Sequence, residues 1–207
     1  MKTLIHPTYL PNIATFAAIA QNDICWEVCD NFQKQTYRNR TYICTDRGKL
    51  MLNIPIEHVG KGKGRQKYKD VKIDYDENWQ RQHWRTLETA YRTSPYFEYY
   101  EDDLAPLYHK KHQFLLDFNL KLIEVLSNCL LIEMPTLKTE TFELEPEDIN
   151  DMRSLADAKK KIDFNQPEYV QVFGDRHGFI KNSSIVDLLF NEGTSALGYL
   201  KNLNLKH

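Results

Sequence analysis

Glycine is scarce in this chain, at 8 of 207 residues, and none lies in Thr8-Tyr9-Leu10-Pro11-Asn12, the connection between its first two regular segments. A dinucleotide fingerprint or a P-loop needs glycines there, so both are excluded. Cysteine is also sparse. Cys25, Cys29, Cys44 and Cys129 lack C-x-x-C spacing, which argues against a zinc knuckle and against a disulfide framework. His6, His83, His109, His112 and His177 show no H-E-x-x-H spacing, so no metal site is expected. Long apolar runs are missing: no window approaches the roughly 18 to 20 residues of a membrane helix. Met1 to Pro7 breaks before a signal-peptide core could form. A cytoplasmic protein with reduced, mostly buried thiols and no transmembrane segment is therefore expected. Charge of one sign is lacking too. A net charge of −2 and a pI near 6.4 argue against a nucleic-acid partner.

What is present is core-forming material. Hydrophobic residues make up 42% and aromatics 12% of the chain, enough for residues 1–207 to form one domain with its own core. Lys2 to His6 reads as a strand stopped by Pro7. Asn12 caps a helix whose apolar face is Ile13, Phe16, Ala17, Ile19 and Ala20, and Ile24 to Val28 reads as a buried second strand. Strand, helix, strand at this spacing predicts a βαβ unit with parallel strands. Thr41 to Thr45 and Lys49 to Ile54 predict a hairpin turning at Asp46-Arg47-Gly48. The Gly/Lys segment 60–69 predicts an irregular, mobile loop, and Val71 to Ile73 a further short strand. Helices are predicted near 77–92, 101–111 and 112–128, with Thr93-Ser94-Pro95 as a break.

Beyond them, Leu130 to Leu144 reads as a strand returning to the sheet, Asp148 to Lys161 as surface, and Tyr169 to Phe173 as a strand. Ser183 and Ser184 cap a helix through Leu189 that Gly193 terminates. The expected fold is α/β: a Rossmann-like N-terminal βαβ unit, a β-hairpin insertion and a helical C-terminal half.

Ligands of open α/β sheets bind outside the carboxyl ends of parallel strands. His6 ends the first strand, Asp30 follows the second, and Glu27 is a carboxylate in strand context that needs a partner. These residues predict a polar rim. Tyr9 and Asn12 lie where the following helix offers free N–H groups to an anion. Between Lys34 and Lys69 ten Lys/Arg stand against Asp46 and Glu57, a local charge of +8. Within it, alternation puts Tyr37 and Asn39 on one side and Arg38 and Arg40 on the other. Lys34, Arg38 and Arg40 are candidates to clamp an anionic small molecule. Trp79, His83 and Leu87 share a helical face, and His83, an imidazole among aromatics, is a candidate acid or base.

Several segments together resemble the WbqC-like family. They are His6-Pro-Thr-Tyr-Leu-Pro, Gln33 to Arg40, Leu52-Asn-Ile-Pro-Ile56, Trp79 with His83-Trp84, Tyr91 to Tyr100, and Gly178 to Phe190. The resemblance spans nearly the whole chain. It implies a bacterial protein of surface-polysaccharide (O-antigen) gene sets, with acyl or glycyl transfer to a nucleotide-linked amino sugar. From the residues themselves, His6, Glu27 or His83 would serve catalysis, and Tyr9, Asn12, Lys34, Tyr37, Arg38, Asn39 and Arg40 would bind ligand. Many members of the family carry Gln at the His6 position, which favours binding over proton transfer for that side chain. No cofactor is indicated. Two alternatives remain open: a nucleotidyltransferase binding ATP or CTP at the 8–12 turn, and a scaffold protein that docks a partner or an acidic lipid surface through residues 34–69.

Overall fold

The computed structural model describes residues 1–57, 64–160 and 162–205. Thr3-Leu4-Ile5 forms β1, fully buried, and Ile24-Cys25-Trp26 forms β2 parallel to it, with α1 (Ile13–Gln21) between them. Each residue of both short strands is buried, which is why their sequences are continuously apolar rather than alternating. A hairpin follows, β3 (Arg40–Thr45) with β4 (Gly48–Asn53), turning at Asp46-Arg47. Gly48 sits at φ +92°, a backbone angle glycine reaches without strain.

Three helices follow: α2 (Trp79–Tyr91), α3 (Phe97–His109) and α4 (Leu115–Cys129). The predicted break at 93–95 is present, with Ser94 N–H donating to the Tyr91 carbonyl. The C-terminal part holds β5 (Asn150–Asp151), β6 (Phe164–Asn165), α5 (Gly174–His177), α6 (Ile185–Glu192), α7 (Ala196–Lys201) and β7 (Asn204–Leu205). β5 pairs parallel with β1, so the sheet runs β2-β1-β5, all parallel. The result is a mixed α/β fold whose largest sheet is parallel and flanked by several helices. One hydrophobic cluster runs from Ile5 to Leu203, joining α1, the hairpin, the three central helices and α6.

Four local expectations change. Asp148 to Lys161, expected as surface, supplies β5 of the sheet and buries Met152, Leu155 and Ala156, because its few apolar residues face the core while most of its charges face out. Leu130 to Leu144 forms no continuous strand. It touches the sheet once, at Lys138 beside Trp26, and Pro135 accepts the Trp26 indole N–H at 2.7 Å. Tyr169 to Phe173 is irregular: the Gln171 and Phe173 carbonyls accept from the Gly174 and Arg176 N–H groups that begin α5, and the Gln171 side chain exchanges bonds with the Ile180 backbone. Val71 to Ile73 makes only isolated bridges, to Phe114 and Ile56. The first part of the Gly/Lys segment, up to residue 63, lies outside the described residues. Its last part is anchored, with Tyr68 to Asp70 forming a single 3-10 turn and the buried Tyr68 hydroxyl donating to the Pro7 carbonyl at 2.7 Å. Among the described residues no helix is long and apolar enough to cross a membrane.

Candidate functional site at the carboxyl ends of the parallel strands

β1 delivers His6 directly after its last residue, and β2 delivers Glu27 and then Asp30. The turn before β3 brings in Arg38. His6, Asp30 and Arg38 are buried together, with Arg38 at 2% exposure. The Arg38 guanidinium donates through Nη2 to Asp30 Oδ2 at 2.6 Å and to His6 Nε2 at 2.7 Å. Because arginine always donates, His6 Nε2 must be the accepting nitrogen. Its proton therefore sits on Nδ1, which faces the Glu27 carbonyl at 3.3 Å. Burial pushes the imidazole down to about 4, consistent with this neutral tautomer. Burial alone would raise the Asp30 carboxyl, but its contacts with His6 and Arg38 outweigh burial and hold it below the usual carboxylate range.

Glu27 braces this rim from behind. Its Oε1 accepts from the Cys29 N–H at 2.7 Å, the Asp30 N–H at 3.0 Å and the Thr139 hydroxyl at 3.1 Å, so it shapes the turn that aims Asp30. Its other oxygen lies 3.8 Å from Arg153 Nη1. Arg153 follows β5 and closes the third side. It grips Asp151 through Nε (2.9 Å) and Nη2 (2.6 Å), and it donates to the carbonyls of Glu143 and Leu144 at 2.7 and 2.9 Å. Phe142 and Leu144 are thereby held over a cavity of about 290 Å3 whose inner wall is His6, Asp30 and Arg38. Asp151, Arg153 and Asp157 complete it. None of these last three was singled out from the sequence. Asp151 lies in a strand of only two residues, and Arg153 and Asp157 begin and follow the short 3-10 turn after it, too few residues for any periodicity to register.

The remaining candidates are placed elsewhere. Tyr9 is fully buried, its hydroxyl 2.8 Å from His83 Nδ1 and 3.0 Å from the Tyr108 hydroxyl. His83 packs edge-on to Trp79 with ring centres 5.2 Å apart, and burial lowers it to about 4. These two form a polar knot inside the aromatic core, and neither lines the strand-end cavity. Asn12 caps α1, its Oδ1 accepting from the Thr15 N–H at 2.9 Å. The Ile13 N–H goes to the Ser183 carbonyl and the Ala14 N–H to Asn182 Oδ1, both at 3.0 Å. The donors proposed for a phosphate at the 8–12 turn are thus consumed by the chain itself. Leu10, at φ +38°, is pinned there by Thr41 and Ser184 hydroxyls on its carbonyl.

The 33–40 stretch is not an alternating strand. Asn39 turns inward to the Ile54 carbonyl at 3.0 Å, and Tyr37 packs edge-on against Tyr42. Arg40 opens β3 and does not line the cavity, and Lys34 is exposed beside the lining residue Gln33. Only Arg38 of the expected basic clamp reaches the site, and it arrives already paired with a carboxylate.

A family model described as the WbqC-like protein family matches residues 6–163. The chain belongs to that family. Its match begins at His6 and includes every residue of the strand-end cavity named above, the Asp151/Arg153 side included. The WbqC-like chain is also similar to Uncharacterized protein Rv1507c of Mycobacterium tuberculosis, 28% identical across 96% of each chain. No solved structure matches it.

Proposed function

We propose that this WbqC-like protein is an enzyme of bacterial surface-polysaccharide synthesis that transfers an acyl or glycyl group to the amino sugar of a nucleotide-linked acceptor. The observation that carries the proposal is the cavity where three parallel strands end on buried His6, Asp30 and Arg38. Three carboxylates line it (Asp30, Asp151, Asp157) against two guanidinium groups (Arg38, Arg153). That balance suits hydroxyl and amine donors of a sugar better than phosphates, which would stay outside the mouth, where Lys34 is exposed. A volume of about 290 Å3 is at the small end for ligand pockets and fits a sugar ring rather than a whole nucleotide sugar.

In acyl transfer the acceptor amine attacks the acyl carbonyl carbon, a C–N bond forms, the donor's leaving group departs, and the amine gives up a proton. Asp30 orients the amine. The proton leaves with the donor's leaving group, and His6, neutral at pH 7, holds the amine by accepting its hydrogen bond on Nε2 once Arg38 turns toward the substrate. The Arg38 Nε–H has no hydrogen-bond partner among the described residues and is a spare donor for the developing oxyanion. The test is incubation with nucleotide-linked amino sugars and a panel of acyl and aminoacyl donors, read by the mass of the sugar product. An acylated product that disappears in Asp30→Asn supports the reading. No product from any donor, with no thermal stabilisation by amino sugars at millimolar concentration, sinks it.

A further inference from the structure

A second concavity, of about 580 Å3, lies between the hairpin turn, α2 and α5, and it shares no lining residue with the strand-end cavity. Its charge is one-sided. Arg47 comes from the β3–β4 turn, Arg85 from α2 and Arg176 from α5, against the single carboxylate Asp46. All three arginines are exposed, and among the described residues none lies within ion-pair distance of a carboxylate. Arg38 and Arg153, by contrast, both arrive paired. Guanidinium forks converging from three elements without internal partners are suited to phosphate oxygens, which they bind bidentately.

The rest of the groove is chemically different. Leu50, Ala90 and Phe173 supply an apolar face, and the Arg176 guanidinium lies over the Phe173 ring at 5.3 Å from its centre. A planar group can stack on such a pair. Three threonine hydroxyls also line it, and each has spent its proton on a carbonyl: Thr45 on Gly48 at 2.9 Å, Thr86 on Gln82 at 2.7 Å, Thr89 on Arg85 at 2.8 Å. Thr45 Oγ1 already accepts from the Arg47 N–H at 3.3 Å, so Thr86 and Thr89 are the oxygens left to accept from N–H or O–H donors on the ligand. Cationic forks, a flat apolar wall and acceptor-only hydroxyls match the phosphates, the base, and the ribose of one kind of molecule. We infer that this groove is a binding site for a nucleoside diphosphate, separate from the strand-end cavity and independent of whatever is transferred there.

Calorimetric titration of the full chain with uridine diphosphate, adenosine diphosphate, inorganic pyrophosphate and uridine tests this. A nucleoside diphosphate should bind at least about tenfold more tightly than pyrophosphate or uridine. The exposed-residue variants Arg85→Ala and Arg176→Ala should each weaken it about tenfold or more, the scale of a charge-assisted bidentate contact. Ser154→Ala and Asp157→Asn, at the mouth of the other cavity, should leave that affinity unchanged. The inference is overturned if neither diphosphate binds, if pyrophosphate binds equally well, or if the cavity-mouth variants rather than the arginine variants remove binding. Arginine-dependent capture by anionic phospholipid vesicles without diphosphate binding would overturn it too, in favour of a membrane surface. Loss of transferase activity in Asp30→Asn with intact diphosphate binding would leave this inference standing while testing only the strand-end reaction.

Discussion

His6 owes its state to burial and to its neighbours. Nδ1–H faces a carbonyl, and Nε2 faces both the Arg38 guanidinium and, at 3.3 Å, Asp30 Oδ2, so a second proton is favoured by the carboxylate but opposed more strongly by burial, with Arg38 adding to the opposition. A glutamine side chain offers the same pair, one N–H donor and one oxygen acceptor. His6 and His83 both titrate near 4 in the fold against 6.5 for the free side chain. Between those values the unfolded chain binds protons that the native chain refuses, so stability is full above about pH 6.5 and declines as pH falls toward 4. Each histidine contributes on the order of 3 kcal/mol to that loss. Urea midpoints measured from pH 7 to pH 4 should fall steeply in the wild type. His6→Gln should flatten roughly half of the drop that the two histidines produce. An unchanged slope in that variant would show that His6 is not held neutral.

At the scale of elements, α6 ends where it must. Its C-cap Gly193 stands at φ +53°, and a Cβ there would lie 2.5 Å from the Tyr96 ring. Tyr96 is fixed in turn by its N–H on the Phe190 carbonyl at 3.0 Å, so the ring that starts α3 sits on the glycine that ends α6. Gly193→Ala therefore meets both backbone strain and a clash, and should cost about 1–3 kcal/mol. Gly198, within α7, has open space where its Cβ would be. Alanine there should stabilise by about 0.5–1 kcal/mol through helix propensity. Thermal melts of the two variants should move in opposite directions, and a common direction would contradict this packing.

Across the whole molecule, the cavity depends on a side chain that ties distant chain segments together. Arg153 joins β5 to the carbonyls of residues 143 and 144 and stands beside Glu27, which follows β2. Arg153→Met would free two carbonyls and Asp151 while retaining much of the stem's packing. Amide hydrogen exchange across 140–151 should accelerate, and the Phe142/Leu144 wall should lose protection first. Exchange in β3 and β4, which Arg153 does not touch, should stay as it was. Uniform acceleration throughout the chain would mean that Arg153 supports global stability rather than this wall.

The sequence by itself determined the local elements whose signals are local. Asn12 at the head of α1, the Asp46-Arg47 turn and the break at Thr93-Ser94-Pro95 stand where capping and turn chemistry put them, whereas the serines before α6 spend their hydroxyls on Leu10 and Asp187 rather than on capping the helix. The strand-end rule also picked out His6, Glu27 and Asp30, because β1 and β2 are parallel and their ends are readable from where their apolar runs stop. Only the tertiary structure decided the rest. Whether a charged side chain is a free ligand or a spent one depends on partners far away in sequence. Arg38 pairs with Asp30 and His6, Tyr9 with His83 and Tyr108, and Arg153 bridges elements more than a hundred residues apart. The +8 stretch shows the consequence: among its described residues the most buried cation is neutralised by Asp30 at the strand ends, while exposed Arg47 of the same stretch faces a groove shared with Arg85 and Arg176. Charge density is a property of sequence, but its availability is set by desolvation and pairing, and those exist only once the chain is folded.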